Sequence, residues 1–234
     1  MEYGQFCPIA KASEILGEKW TILIVRELLM GSTRFNELQR GLGLISPTIL
    51  TKRLTMLTER GLVHRKRISG QRGFEYHATE SCRELLPILL SLGGWGMRWA
   101  RTNLTDSDYD VELLMLYLER SVVADKLPGG QAVIQFRFED IADISDWWIV
   151  VAGDHMDVCT TDPGKDVDVY FNTTVRAMTD VWMAERTYKA AIAAGDIVVT
   201  GSRVLTRNIE SWMRNCIFTD LPAAQAILGV SPSL

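Results

Sequence analysis

The stretch Ser46-Pro47-Thr48-Ile49-Leu50-Thr51-Lys52-Arg53-Leu54 decides the fold of the N-terminal part of the chain. A serine followed by a proline is typical of a helix start, because the hydroxyl accepts a hydrogen bond from an unpaired backbone N–H and proline has no N–H to satisfy. At about 100° per residue, Leu50, Leu54 and Leu57 fall on one stripe, which predicts a buried face. The helix is expected to end just before Gly61.

The face opposite these leucines carries three threonines and one lysine, namely Thr48, Thr51, Thr55 and Lys52. Threonine is only a modest helix former, so a purely solvated face would more often hold glutamate, lysine or glutamine. Short hydroxyl side chains around one cation are suited to close approach to base edges and phosphates. The pattern favours a helix that reads DNA, and the alternative is an ordinary solvated surface.

A basic hairpin is predicted directly after this helix. Residues 62–68 form a strand with three consecutive cations, residues 69–73 form a flexible turn, and residues 74–77 return as the second strand. A short helix over residues 35–40 precedes the threonine-bearing helix, so the order is that of a winged helix-turn-helix. Residues 34–83 hold 10 Lys and Arg against 4 Asp and Glu, a net charge of +6, which concentrates the positive charge on these elements.

We therefore predict that the helix and the hairpin contact double-stranded DNA. Arg53 lies beside the leucine stripe, so a structural role that supports the turn is at least as compatible with its position as a phosphate contact. The predicted contact residues are Ser46, Thr48, Thr51, Lys52, Arg53 and Thr55 in the helix, and Arg65, Lys66, Arg67, Gln71 and Arg72 in the hairpin.

The N-terminal part resembles the HxlR-type winged-helix regulators. The matching motifs include Leu16-Gly17-Glu18-Lys19-Trp20-Thr21, Arg34-Phe35-Asn36-Glu37-Leu38 and Ile45-Ser46-Pro47, and the resemblance covers about residues 5–100. It implies a homodimeric bacterial transcription regulator whose dimer is built from the N-terminal segment and the helix after the hairpin, here residues 83–101. The hairpin turn lacks the proline that the family often has there, which implies a more mobile tip.

Cys7 precedes Pro8 at the predicted start of the first helix. The resemblance implies a thiol sensor near this position, and the positive end of a helix lowers the pKa of a thiol. The alternative is that the Cys-Pro pair is a common start of the family without a redox role.

The C-terminal part has the opposite charge and a different periodicity. Residues 101–234 carry a net charge of −9, against +5 for residues 1–100. After a polar segment at 103–109, a helix is followed by short stretches with alternating apolar residues, which are typical of half-buried strands. We predict an α+β chain with a winged helix-turn-helix DNA-binding and dimerisation domain at 1–102, a linker at 103–109, and at 110–234 an α+β sandwich of about five antiparallel strands with helices on one face.

The strand order and the segment 194–201 resemble the sterol-carrier-protein type of lipid-binding domain, over about residues 110–215. The resemblance implies an apolar cavity between sheet and helices that could hold an apolar small-molecule effector. The alternative is that the same side chains form an ordinary core without a ligand. The candidate lining residues are Trp148, Val175, Met178, Val181, Trp182, Tyr188 and Ile192.

Other classes of protein find little support in the sequence. The N-terminus resembles no signal peptide and no segment approaches the length of a membrane span, so we expect a cytoplasmic protein without a membrane partner. The four cysteines have no metal-ligand spacing, and His155 lies in no catalytic motif, so we expect no cofactor, no metal and no enzymatic activity. The leading hypothesis is a dimeric repressor of a pseudo-palindromic operator, regulated by an effector; the rivals are a ligand-free C-terminal module that stabilises the dimer and, less well supported, a lipid carrier or enzyme.

Overall fold

A computed structural model describes residues 2–70, 72–100 and 104–219 of the chain. The chain divides into two compact units, Met1–Trp95 and Gly96–Leu234. Each unit has its own hydrophobic core. None of the helices in the described ranges is long and apolar enough to span a bilayer.

The first unit contains helices and one hairpin. Its elements are α1 (Pro8–Leu16), α2 (Thr21–Leu29), α3 (Phe35–Arg40), α4 (Pro47–Glu59), β1 (Val63–Arg67), β2 (Phe74–Ala78), α5 (Glu80–Arg83) and α6 (Leu86–Trp99), which extends past the boundary between the units.

The leucine stripe of α4 forms the centre of this unit. Leu50, Leu54 and Leu57 are at most 1% exposed and pack in one cluster with residues of α2 and α3. Gly61 ends α4 with a φ of 75°, and the N–H of Leu62 donates to the carbonyl of Leu57. This glycine-terminated bond pattern satisfies the last carbonyls of the helix and turns the chain into the hairpin.

The hairpin is anchored to the segment before α3. Strands β1 and β2 pair antiparallel, with Val63 opposite Ala78 and Arg67 opposite Phe74. The N–H of Tyr76 donates to the carbonyl of Thr33, and an isolated bridge joins Arg34 to Glu75. The middle of β2 is thus held in place against the segment before α3.

The second unit combines a five-stranded sheet with helices. Its elements are α7 (Val111–Ser121), β3 (Gln131–Phe138), β4 (Asp146–Ala152), β5 (His155–Cys159), β6 (Val169–Thr173), α8 (Val175–Trp182), α9 (Tyr188–Ala194), β7 (Ile197–Gly201), α10 (Arg203–Thr206) and α11 (Ile209–Trp212).

The sheet is mixed, so the expectation of an antiparallel sheet is wrong at one pair. The strand order is β5-β4-β3-β6-β7, and every neighbouring pair is antiparallel except β3 and β6, which are parallel. After β5 the chain does not form another hairpin. The connection 160–168 instead carries it past β4 to the far side of β3. Alternating hydrophobicity predicts a strand but not its direction, which is why the sequence did not reveal this pair.

The two faces of the sheet differ in character. On the face that packs against the helices, Phe136, Phe138 and Phe171 are fully buried, and the rings of Phe136 and Phe171 stack with centroids 4.8 Å apart. Because successive side chains of a strand point to opposite faces, the other face carries polar and aromatic residues. We call this the open face and define it by Gln135, Arg137, Asp146, Trp148 and Tyr170.

Candidate nucleic-acid interface

The start of α4 has the geometry that the Ser-Pro pair predicts. Ser46 is the N-cap residue with extended backbone angles, and its Oγ accepts a hydrogen bond of 3.3 Å from the N–H of Ile49. Pro47 occupies the first helical position. The cap therefore fixes the N-terminal turn of α4, which is the part of a recognition helix that approaches base edges.

The threonine face of α4 is exposed and chemically specific. Thr48, Thr51, Lys52 and Thr55 are all exposed. The hydroxyl of Thr51 donates to the carbonyl of Pro47 at 2.8 Å, and that of Thr55 donates to the carbonyl of Thr51 at 3.0 Å. Since these bonds use the hydroxyl protons, the two threonines offer methyl groups and acceptor lone pairs to a partner. Such groups suit the thymine methyl and the amino groups of adenine and cytosine in the major groove.

Arg53 serves the scaffold in this structure. Its guanidinium forms an ion pair with Glu18 and donates through Nε to the carbonyl of Lys19 at 3.1 Å. The side chain is only 13% exposed. These contacts join α4 to the segment between α1 and α2. They favour a structural role for Arg53 over a phosphate contact.

The hairpin presents its cations to solvent. Residues 64–67, His-Arg-Lys-Arg, are all exposed. The guanidinium carbon of Arg65 lies 3.4 Å from the centroid of the Phe74 ring, which orients this cation along the hairpin. On the other face of the hairpin, Lys66 stands opposite Glu75, and Glu75 forms an ion pair of 3.4 Å with Arg34.

The tip of the hairpin is partly described. Arg72 is exposed, and Gly70 and Gly73 have φ angles of 71° and 119° that favour glycine. Gln71, the remaining predicted contact of the hairpin, lies outside the described residues.

A buried carboxylate positions the helix-turn-helix, and the sequence pattern did not predict it. Glu27 of α2 is fully buried and pairs with Arg26 at 2.8 Å. Arg26 in turn donates to the carbonyl of Gly41, in the turn between α3 and α4, at 2.8 Å. A Cβ atom at Gly41 would clash with the carboxylate of Glu27, so a side chain at this position would displace the buried acid. The sequence signal was the Arg26-Glu27-Leu28 motif, whose charge pattern alone does not reveal burial.

An apolar surface extends along the first unit. Five residues of α6 are between 42% and 57% exposed, and Phe6 and Ile9 near the N-terminus are exposed as well. A concentration of large exposed apolar side chains usually marks a contact with another protein surface. The five α6 residues are Leu86, Ile88, Leu90, Leu92 and Trp95.

Cys7 is the N-cap residue of α1 and is partly exposed. Its carbonyl accepts a hydrogen bond of 3.1 Å from the N–H of Lys11. The thiol thus lies at a helix N-terminus, as the sequence predicts, and its reactivity stays a prediction.

The structure separates the candidate lining residues of the second unit. Val175, Met178, Val181 and Tyr188 pack in the core between sheet and helices, and burial raises the pKa of the Tyr188 phenol above its usual range. Trp182 stacks on Tyr117 with centroids 4.9 Å apart, Ile192 is exposed, and Trp148 lies on the open face. These seven residues do not surround one cavity in the described part of the unit, because Trp148 points away from the helices.

Comparison with known proteins identifies relatives that match part of the chain. The HxlR-like helix-turn-helix family matches residues 15–104. YvaP of Bacillus subtilis, an uncharacterized HTH-type transcriptional regulator, is 35% identical over 108 residues, which cover 45% of this chain and 100% of YvaP. An uncharacterized HTH-type transcriptional regulator of Mycobacterium tuberculosis is 43% identical over 89 residues, or 38% of this chain.

The match to the mycobacterial relative covers 56% of that protein's own length. Among solved structures, the redox regulator HypR in its reduced form is 34% identical, with 38% of this chain and 90% of that chain covered and a TM-score of 0.36.

Proposed function

Because the chain belongs to the HxlR-like helix-turn-helix family through residues 15–104, we propose that it is a DNA-binding transcription regulator. One observation carries the proposal: the exposed Thr and Lys face of α4 and the exposed cations of β1 occur in the segment where the net charge is +6. In this function, α4 reads base edges in the major groove and the hairpin contacts the backbone or minor groove.

We propose further that the regulator is a homodimer. The exposed apolar residues of α6 and of the N-terminal segment need a partner surface, and a second copy of the chain supplies one of the same chemistry. Two copies of α4 related by a twofold axis predict half-sites about 34–36 Å apart in a pseudo-palindromic operator. A repressor acts by occupying such a site.

The second unit has two candidate roles in this function. In the first, it binds an effector that biases DNA affinity, and in the second, it is a ligand-free module that stabilises the dimer. The filled core between sheet and helices favours the second role over an apolar effector at that place, since Val175, Met178 and Val181 are at most 2% exposed there.

Salt dependence of DNA binding tests the central proposal. A set of operators is first selected from random duplexes with the full-length protein, and affinity is then measured by fluorescence anisotropy from about 50 to 200 mM salt, where six to ten phosphate contacts predict a loss of about 10³–10⁵-fold. Affinity that stays constant over this range, or failure to enrich any sequence, contradicts the proposal. Sedimentation of the free protein and of the complex measures the stoichiometry.

A further inference from the structure

The open face of the sheet carries a cavity of about 380 Å³. Its floor is formed by Gln135, Trp148 and Tyr170 from three adjacent strands. Its wall is formed by Asp162, Lys165 and Asp166 of the connection 160–168, which passes over this face on the way from β5 to β6. The cavity is within the size range of small-molecule sites and lies on the opposite side of the sheet from the helices.

The strand register places two aromatic residues on either side of one amide. Gln135 of β3 is directly opposite Trp148 of β4 and Tyr170 of β6. With strands spaced about 4.8 Å apart, the two aromatic residues start about 10 Å from each other, with Gln135 between them. Because the Gln135 amide is held by Asp146, a flat apolar group could lie over it, flanked by the two aromatic side chains.

Trp148 has an unused hydrogen-bond donor. The side chain is 8% exposed although it faces away from the helices, because the connection covers it. The other three tryptophans of residues 104–219 donate from Nε1: Trp147 to the carbonyl of Ile144, Trp182 to Ser121, and Trp212 to the carbonyl of Leu205. Trp148 alone makes no such bond within residues 104–219, and its Nε1 is not among the fully buried polar atoms, so the donor is open to a ligand from the cavity side.

Around the cavity, one pair of opposite charges forms an ion pair, and three further charged side chains form none with the described residues. Arg137 donates to Asp146 at 2.7 Å, and Gln135 donates to the same carboxylate at 3.0 Å. In contrast, Lys165 and its neighbours Asp162 and Asp166 form no ion pair with any part of the chain that the structure describes. This wall of the cavity therefore presents one cation and two carboxylates to a ligand.

We propose that this open-face cavity binds a small zwitterion with a flat apolar side group, the chemistry of a free aromatic α-amino acid. The ligand carboxylate accepts from Nε1 of Trp148 and pairs with Lys165. The ligand ammonium pairs with Asp162 or Asp166, and the ligand's aromatic ring lies between Trp148 and Tyr170. The binding itself does not depend on DNA, so it goes beyond the proposed regulatory function.

Matched ligands test the zwitterion requirement. L-phenylalanine, 3-phenylpropanoate and 2-phenylethylamine share a ring and differ in which charged groups they carry, and each is titrated into the full-length protein by isothermal calorimetry. We expect L-phenylalanine to bind at least about tenfold tighter than either of the others. Binding of one singly charged compound as tightly as L-phenylalanine, or no binding of L-phenylalanine at about 10 mM, overturns the proposal.

Matched variants test the location. Trp148→Phe keeps a ring and removes the donor, and Lys165→Gln removes the cation; each is expected to weaken L-phenylalanine binding about tenfold. Lys189→Gln on α9 removes an exposed lysine from the helix layer and is expected to leave binding unchanged. Circular dichroism and thermal unfolding verify that each variant is folded. Equal affinity of Lys165→Gln and Lys189→Gln places any binding elsewhere and overturns the assignment.

The outcome is separable from that of the regulatory proposal. Calorimetry is performed without DNA, and the DNA affinity of the same preparations is measured without amino acid. Amino-acid binding that is lost in Trp148→Phe, in a protein that binds no DNA, supports the cavity proposal and contradicts the regulatory one. DNA binding without any amino-acid binding supports the regulatory proposal and contradicts the cavity.

Discussion

The two units of the chain treat charged side chains in opposite ways. In the first unit, four consecutive residues of β1 keep their polar side chains in solvent, and most of the charge of residues 34–83 is positive. In the second, acids outnumber cations, and two of the cations pair with nearby acids, Arg137 with Asp146 and Arg186 with Asp196. Exposed, uncompensated cations attract a polyanion, whereas an acidic surface with paired cations repels one. The contrast teaches which unit is suited to DNA.

A second contrast lies within the second unit, between the two faces of its sheet. The largest expected effect comes from Phe136→Ala on the helix face, because Phe136 is fully buried between two other phenylalanines. We expect a loss of about 3–5 kcal/mol in the free energy of unfolding, measured by urea titration. Arg137→Ala, the neighbour on the open face, is the control and should cost less than about 1 kcal/mol. Similar losses for both would show that the open face also holds the fold together.

Glu27→Ala tests whether the charged groups of the first unit divide into scaffold and interface. The substitution removes the buried carboxylate that pairs with the Arg26 guanidinium, which in turn donates to the carbonyl of Gly41, and we expect a loss of about 3 kcal/mol in the free energy of unfolding, measured by thermal unfolding. Glu59→Ala, an exposed acid at the end of α4, serves as the control. If Glu27→Ala were as stable as Glu59→Ala, Glu27 would not stabilise the first unit.

Thr51→Ala is expected to act on sequence preference. It removes the methyl and the acceptor that face the partner, so discrimination at one operator position should fall by about 1–3 kcal/mol, measured by competition among operator variants. Thr58→Ala is matched, since Thr58 makes the same type of bond, to the carbonyl of Leu54, in the last turn. An equal effect at both positions would indicate a loss of helix stability in place of base contacts.

Lys66→Gln should weaken binding to all duplexes alike, by about 1 kcal/mol, and reduce the slope of log affinity against log salt by about one. Anisotropy titrations at several salt concentrations provide both quantities. Lys126→Gln, in the acidic unit, should change neither. A change of the salt slope in Lys126→Gln would contradict the expectation that only the first unit contacts DNA.

The smallest effect concerns pH. Burial pushes the pKa of the Asp146 carboxyl upward, but Arg137, Gln135 and Ser145 outweigh it and hold the pKa below its usual value. A carboxylate whose pKa is lower in the folded than in the unfolded state contributes stability at pH values above its unfolded-state pKa. This contribution is lost as the pH falls through the folded-state pKa. Asp146→Asn should therefore be less stable than the original chain at pH 7, with a smaller difference near pH 2, by urea unfolding at both pH values. A difference that does not shrink toward low pH would contradict this assignment.

The first unit was more predictable from sequence than the second, for a physical reason. A capping serine, a leucine stripe and a terminal glycine are local signals, and they predicted α4 to within one residue of its observed bounds. The parallel pair of β3 and β6 depends on where a nine-residue connection crosses the sheet, and no local pattern encodes that. The same limit applies to the site residues. Thr51 is placed by helical periodicity, whereas Trp148 was assigned to a helix-side cavity although neighbouring Trp147, not Trp148, faces the helices.

The parallel pair also has a consequence for how the chain acquires its structure during synthesis. The first unit precedes the second in the chain, so it can form soon after it leaves the ribosome. Strand β3 must wait for β6, and the core around Phe171 is completed only by Trp212, near the end of the described chain. We expect the DNA-binding part to be folded while the sheet is still incomplete, so that a nascent chain acquires its basic surface before its acidic one.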